Sequence, residues 1–268
     1  MTTDVQPREG TGWTTGLGTI FRHESRIWWS GRRWWLQTIL WTGILVGMMA
    51  ALLWVASEAN ESGLRLEEPA VTVSDVFPQY LGLALVLSTI GVVVLTQGAM
   101  LDDRRTGTLE WVLSKPVSRA GMVLAKFAAH AVPVLIVFVL VPWSLLYGLL
   151  SRELGEPWPL GEYLTVVALV GLVLVFTVAL TMLLGTWSTS RAVVVGIPIG
   201  LAFLYDAVHL IVDDLTGRLP FPWELSTLAT QASAGEALTS AIPIVATVAW
   251  IGIALGATIW RFEREEVG

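Results

Sequence analysis

Six long apolar stretches constrain this chain more than any other feature of its sequence. Each holds 21 to 25 residues, and crossing a hydrocarbon core of about 30 Å takes about 20 helical residues. The stretches lie at 34–56, 78–101, 127–150, 163–187, 192–212 and 240–260. Only helices and closed barrels satisfy their backbone hydrogen bonds in lipid, and these stretches lack the period-two alternation of barrel strands. The predicted fold is therefore all-α, a single domain over 1–268 with six transmembrane helices.

The amino-acid composition is typical of a membrane protein and excludes several kinds of functional site. Apolar residues make up 54% of the chain and charged residues only 14%, against about 25% charged in an average soluble domain. The chain has no cysteine, which excludes disulfides, thiolate metal sites and thiol catalysis. The three histidines are scattered and form no ligand motif. We therefore expect a lipid bilayer as the surroundings, with no cofactor, no metal site and no nucleic-acid partner.

The first 33 residues are polar, so they lack the early apolar core of a cleavable signal. We expect the first span to be retained as an anchor. Residues 1–19 are predicted to form a flexible tail. In 20–35, aromatic residues and arginines are interleaved, a pattern typical of a helix over 20–33 that lies at the lipid headgroups and turns at Ser30 and Gly31. An ordinary juxtamembrane anchor is the alternative interpretation.

The distribution of basic residues predicts the orientation. Thirteen of the 16 Lys and Arg residues lie on the side of the two chain termini, and only Arg65, Arg152 and Arg218 lie opposite. We therefore expect a multi-pass plasma-membrane protein with both termini in the cytoplasm. The opposite side carries a net charge of −9. Adaptation to a salty exterior explains that charge better than attraction of a cationic substrate.

The loop 102–126, on the predicted cytoplasmic side, is the most informative connection. Leu109, Val112 and Leu113 follow the spacing of one apolar helix face. Pro116 is expected to end that helix, and Ser118 to cap the next one. The pattern predicts a short helix parallel to the membrane and tied to the second and third spans. A helical turn that only joins the two spans is the alternative.

This loop resembles the cytoplasmic signature of permease subunits of exporter-type (type-2 class) ABC transporters. The matching residues are Arg105, Thr106, Gly107, Thr108, Leu109, Glu110, Leu113, Ser114, Lys115, Pro116, Val117, Ser118, Arg119 and Lys126. The resemblance implies that 104–115 is a coupling helix that docks on a cytoplasmic ABC ATPase subunit, and that two permeases form a homodimer or heterodimer. The ATPase-coupling residues it implies are Arg105, Gly107, Leu109, Glu110, Leu113, Pro116 and Arg119.

The chain contains no recognisable catalytic motif. A P-loop needs a lysine followed by Ser or Thr, whereas Lys115 precedes Pro116 and Lys126 precedes Phe127. The HExxH and GxSxG patterns are also absent. We therefore expect no catalytic residues here, and ATP hydrolysis on a separate partner subunit.

Two further patterns concern the later part of the chain. Asp206 and His209 share one helix face inside the fifth predicted span. They are interpreted either as a functional polar pair or as a partly hydrated pair near the outer end of the span. Pro222 and Trp223 predict a short outer helix with the indole at the membrane interface, or a surface loop. Kinks are predicted at Pro133, Pro142, Pro198 and Pro243.

The leading function hypothesis is the permease subunit of an ABC exporter, which forms the translocation pathway without chemistry on the substrate. One alternative is an ATPase-coupled mechanotransmission complex without transport, which the short outer loops disfavour. The other is a six-span membrane protein of different function, such as a membrane enzyme, which the missing catalytic motifs disfavour. The substrate has no sequence signature.

Overall fold

The computed structural model of the protein describes residues 15–61, 71–106, 118–216 and 220–264, without the side chains of 103–106 and 205–216. Within these ranges the regular structure is helical and contains no strand. The helices are α1 Leu17–Trp29, α2 Arg33–Glu61, α3 Val73–Thr96, α4 Gly98–Thr106, α5 Arg119–Val134, α6 Val141–Leu154, α7 Leu160–Trp187, α8 Arg191–Thr216, α9 Leu225–Ser233 and α10 Ile242–Arg264. A π-helical segment, Leu135–Leu140, joins α5 to α6, and a 3₁₀ turn, Pro222–Glu224, precedes α9.

Five stretches of helix are long and apolar enough to cross a membrane. They are Arg33–Glu61, Val73–Asp102, Arg119–Leu154, Leu160–Trp187 and Ile242–Arg264. Each coincides with a predicted span. The remaining predicted span, 192–212, lies in α8, whose described apolar part, Arg191–Leu204, is shorter than a span. The all-helical fold is thus confirmed, and a sixth span stays a prediction.

Helix α7 lies at the centre of the bundle, in contact with α3, α5, α9 and α10. Because it is apolar on all sides, it gains most from burial, and it is the most buried of the five candidate spans, whereas α2 at the periphery is the least buried. Helices α2 and α3 and the π-helical segment approach each other closely at Gly91. A Cβ atom there would lie 2.4 Å from Cζ2 of Trp41 and 2.6 Å from Cε1 of Phe138, so this contact requires glycine.

The third span changes its helical geometry between its two prolines, Pro133 and Pro142. The helix turns from α to π geometry two residues after Pro133, and Pro142 is the second residue of α6. Pro198 lies inside α8. Pro243, by contrast, is the second residue of α10, where a helix needs no donor. The predicted kink at Pro243 is therefore wrong, because the proline begins the helix.

The end of the bundle opposite α1 is closed by aromatic residues and by α9. The rings of Phe77, Trp158 and Tyr163 form a chain, with centroids 5.0 and 5.7 Å apart. The predicted short helix after Pro222 is present. Trp223 is buried within the protein, and its depth relative to the membrane stays a prediction. Its ring packs edge-on against Phe176 on α7 at 5.6 Å, so α9 is fixed to the central helix.

Candidate functional site

The candidate site consists of the two helix ends that flank residues 107–117, at the α1 end of the bundle. Five predicted coupling residues lie outside the described residues: Gly107, Leu109, Glu110, Leu113 and Pro116. Arg105 lies in the last turn of α4, where the structure describes its backbone but not its side chain. Arg119 is the first residue of α5. The structure therefore defines how the two ends of this segment are held.

The N-terminus of α5 is held by capping and by two distant parts of the chain. The Ser118 hydroxyl accepts a hydrogen bond from the Gly121 N–H at 2.9 Å, which confirms the predicted cap. The Ser118 N–H donates to the Thr15 carbonyl at 3.1 Å, just before α1. The Arg119 guanidinium donates through Nη1 to the Phe262 carbonyl on α10. The first residue of α5 is thereby connected to the last turn of α10.

Two turns further along, a buried ion pair joins α5 to α1. The Lys126 Nζ atom lies 2.6 Å from Oε1 of Glu24, and the two side chains are 6% and 16% exposed. An ammonium group buried to this degree requires a partner. The sequence indicated Lys126 as part of the signature but gave no partner for it. The structure adds Glu24 to the candidate site and connects α1 with α5.

Aromatic packing strengthens this junction. Trp28 on α1 meets the His130 ring edge-on, with the centroids 5.9 Å apart. The Nδ1 atom of His130 lies 2.8 Å from the Lys126 carbonyl, so in the neutral ring the proton is assigned to Nδ1. The sequence predicted an interfacial helix over 20–33 that turns at Ser30. The helix α1 is present over Leu17–Trp29 and starts three residues earlier than predicted, while its position in the membrane interface stays a prediction.

The end of α4 is connected to α7 and α8. The Asp102 carboxylate lies 2.8 Å from Nη2 of Arg191, the first residue of α8, and both side chains are about half exposed. Gly98 leaves room for that carboxylate, since a Cβ there would lie 2.4 Å from Asp102 Oδ2. Gly185 of α7 packs against the backbone of Leu101, 3.4 Å from its Cβ position. Both helices that flank 107–117 are thus fixed to the bundle.

The remaining predicted pair has a defined backbone. Asp206 and His209 lie three residues apart in α8, and their side chains are outside the described residues. Their pairing stays a prediction. Across the part of the chain that the structure describes, no three His, Asp or Glu side chains are grouped to hold a metal ion.

The structure defines a class of protein: a helical protein with five helices long and apolar enough to cross a membrane, cross-connected at the helix ends that flank 107–117. A family model described as ABC-2 family transporter protein matches residues 19–267. The chain belongs to this family, and it is a permease subunit of an ABC transporter. Membership implies a partner ABC ATPase and confirms the resemblance found in the loop. The curated proteins contain no match to this chain.

Proposed function

We propose that the chain is the membrane-spanning subunit of an ABC exporter, coupled to a separate ATPase subunit through the segment 104–115. The observation that carries the proposal is the set of contacts around this segment. Its α4 side is joined to Arg191, and its α5 side is joined to Glu24 and to the Phe262 carbonyl. A push on the segment would therefore reach α1, α8 and α10 as well as the two spans that flank it.

The coupling step follows from these connections. When the ATPase subunits bind ATP and close, the 104–115 segment moves with the surface on which it docks. Because α4 continues from α3, and α5 continues into the π-helical segment and α6, the displacement tilts two membrane spans. The Lys126–Glu24 pair makes α1 follow α5. Rigid-body motion of packed helices is a common way to transmit such a force.

The assembly proposed for this activity contains two permeases, identical or different, and two ATPase subunits in a plasma membrane. ATP hydrolysis takes place on the partner, since neither lysine of this chain lies in a P-loop. Both termini, Arg105 and Glu110 face the cytoplasm in this arrangement. The excess of basic residues on that side supports the orientation.

Purification from the native host tests the proposal. An affinity-tagged copy, extracted in mild detergent, should recover a protein with a GxxxxGK[S/T] motif in near-stoichiometric amount, identified by mass spectrometry. The control is another tagged membrane protein purified in parallel from the same host. If the tagged chain enriches no P-loop protein above this control, the chain does not work with an ATPase and the proposed function is wrong.

A further inference from the structure

A cavity of about 410 Å³ lies between α1, α2, α5 and the α3–α4 junction. Its charged and polar lining residues are Glu24, Arg33, Gln37, Asp102, Lys126 and His130, and its apolar ones include Ile27, Leu95 and Ala99. The cavity lies where α2 begins, at the first residues of a candidate span. This is the depth at which lipid headgroups meet a transmembrane helix.

Two cationic side chains, Lys126 and Arg33, line this cavity, and among the described residues only Lys126 has an ion-pair partner. Lys126 pairs with Glu24, and Asp102 pairs with Arg191. The exposed Arg33 side chain has no ion pair and no hydrogen bond to the residues that the structure describes. A guanidinium group presents five N–H donors in a planar fork, the geometry that binds phosphate oxygens in pairs. The Arg33 guanidinium is therefore the group of this cavity that is suited to bind an anion.

An apolar path continues from Arg33 along the outside of α2. Arg33, Leu36, Gln37 and Leu40 follow the i, i+3, i+4, i+7 spacing of a single helix face. Arg33 and Gln37 line the cavity, while Leu36 and Leu40 are 49% and 51% exposed. A cationic group at one end of an exposed apolar face matches a molecule with an anionic head and a hydrocarbon tail.

We propose that this cavity binds the phosphate of an anionic phospholipid. The Arg33 guanidinium holds the phosphate, and the Gln37 side chain lies beside the glycerol backbone. An acyl chain runs along Leu36 and Leu40. The exposed arginines at 26 and 32 add positive charge around the mouth of the cavity, which favours an anionic over a zwitterionic headgroup. The lipid would then contact the same cavity wall as the ion pair that connects α1 with α5.

Native mass spectrometry of the purified protein tests this assignment by measuring its affinity for three probes. The probes are dioleoylphosphatidylglycerol, dioleoylphosphatidylcholine and inorganic phosphate. Arg33→Gln should lower the phosphatidylglycerol affinity about tenfold, as expected for the loss of a charge-assisted hydrogen bond. The matched control is Arg22→Gln, which removes the same charge from an exposed position of α1 outside the cavity lining. The control should change the affinity by less than about twofold, as expected for a screened surface charge.

A second variant tests the acyl path. Leu36→Ser combined with Leu40→Ser should weaken phosphatidylglycerol binding while leaving any binding of inorganic phosphate unchanged. Equal losses in Arg33→Gln and Arg22→Gln would mean diffuse surface attraction and would overturn the proposal. Equal affinity for phosphatidylcholine, inorganic phosphate binding as tightly as phosphatidylglycerol, or no lipid binding by the wild-type protein would overturn it as well.

Discussion

Replacing Lys126 by methionine should destabilise the protein by about 3 kcal/mol. The substitution keeps the length and apolar stem of the side chain, but it leaves the Glu24 carboxylate, 16% exposed, without the ammonium group that lies 2.6 Å away. Removing one partner of a buried ion pair costs about 3–5 kcal/mol, because the remaining charge stays out of water. The lower end applies here since Glu24 keeps some contact with solvent. Thermal unfolding in detergent measures the effect.

Two further variants separate the ion pair from general damage to α5. Adding Glu24→Gln to Lys126→Met removes the uncompensated charge, so the double variant should regain most of the lost stability. Arg191→Met breaks the Asp102 pair, whose side chains are about half exposed, and should cost less than about 1 kcal/mol. A double variant as unstable as Lys126→Met alone would show that the ion pair does not hold α1 against α5.

Glu110→Arg and Leu113→Asp should each reduce recovery of the ATPase subunit by about tenfold or more. Binding energy at protein interfaces is concentrated in a few central residues. Leu113 belongs to the predicted apolar face of the 104–115 segment, and Glu110 lies at its edge. Insertion needs neither residue, since both lie outside the apolar spans. Both variants should therefore reach the membrane in normal amounts and fail to retain the ATPase during affinity purification.

The matched control for these variants is Glu153→Arg, the same charge reversal at an exposed site near the end of α6. It lies at the opposite end of the bundle, so ATPase recovery should equal that of the wild type. Normal recovery with both Glu110→Arg and Leu113→Asp would remove the coupling role from this segment. The family membership would stand, and the docking site would have to lie elsewhere.

The spans were predictable because their apolar content alone requires burial in lipid or protein. The fourth stretch, predicted over 163–187, is the helix Leu160–Trp187, and its end at Trp187 is the predicted one. The cap at Ser118 was predictable for a similar reason, since a serine hydroxyl satisfies a free N–H of the first helical turn wherever the rest of the chain lies. Properties that depend on a helix and its immediate neighbours can be read from sequence.

The contacts that form the candidate site could not be predicted in this way. Lys126 pairs with a residue 102 positions earlier, one of 22 acidic residues in the chain. Arg119 binds a backbone carbonyl, and carbonyls have no sequence signature. Trp223 is a further example, because the indole side chain is typical of a membrane interface but the packing of α9 against α7 buries it in the protein. Tertiary packing selects these partners, and local spacing contains no information about it.

Site-specific cross-linking tests most directly whether the segment 104–115 docks on the ATPase subunit. The chain has no native cysteine, so a single introduced cysteine is the only site of modification. A single cysteine introduced as Leu113→Cys is modified with a benzophenone maleimide and irradiated in membranes that contain the partner ATPase. A cysteine introduced as Arg152→Cys, near the end of α6 and exposed at the opposite end of the bundle, serves as the control. The account predicts a cross-linked permease–ATPase product from position 113 and none from position 152. A product from position 152 alone, or from neither position, would contradict coupling through this segment.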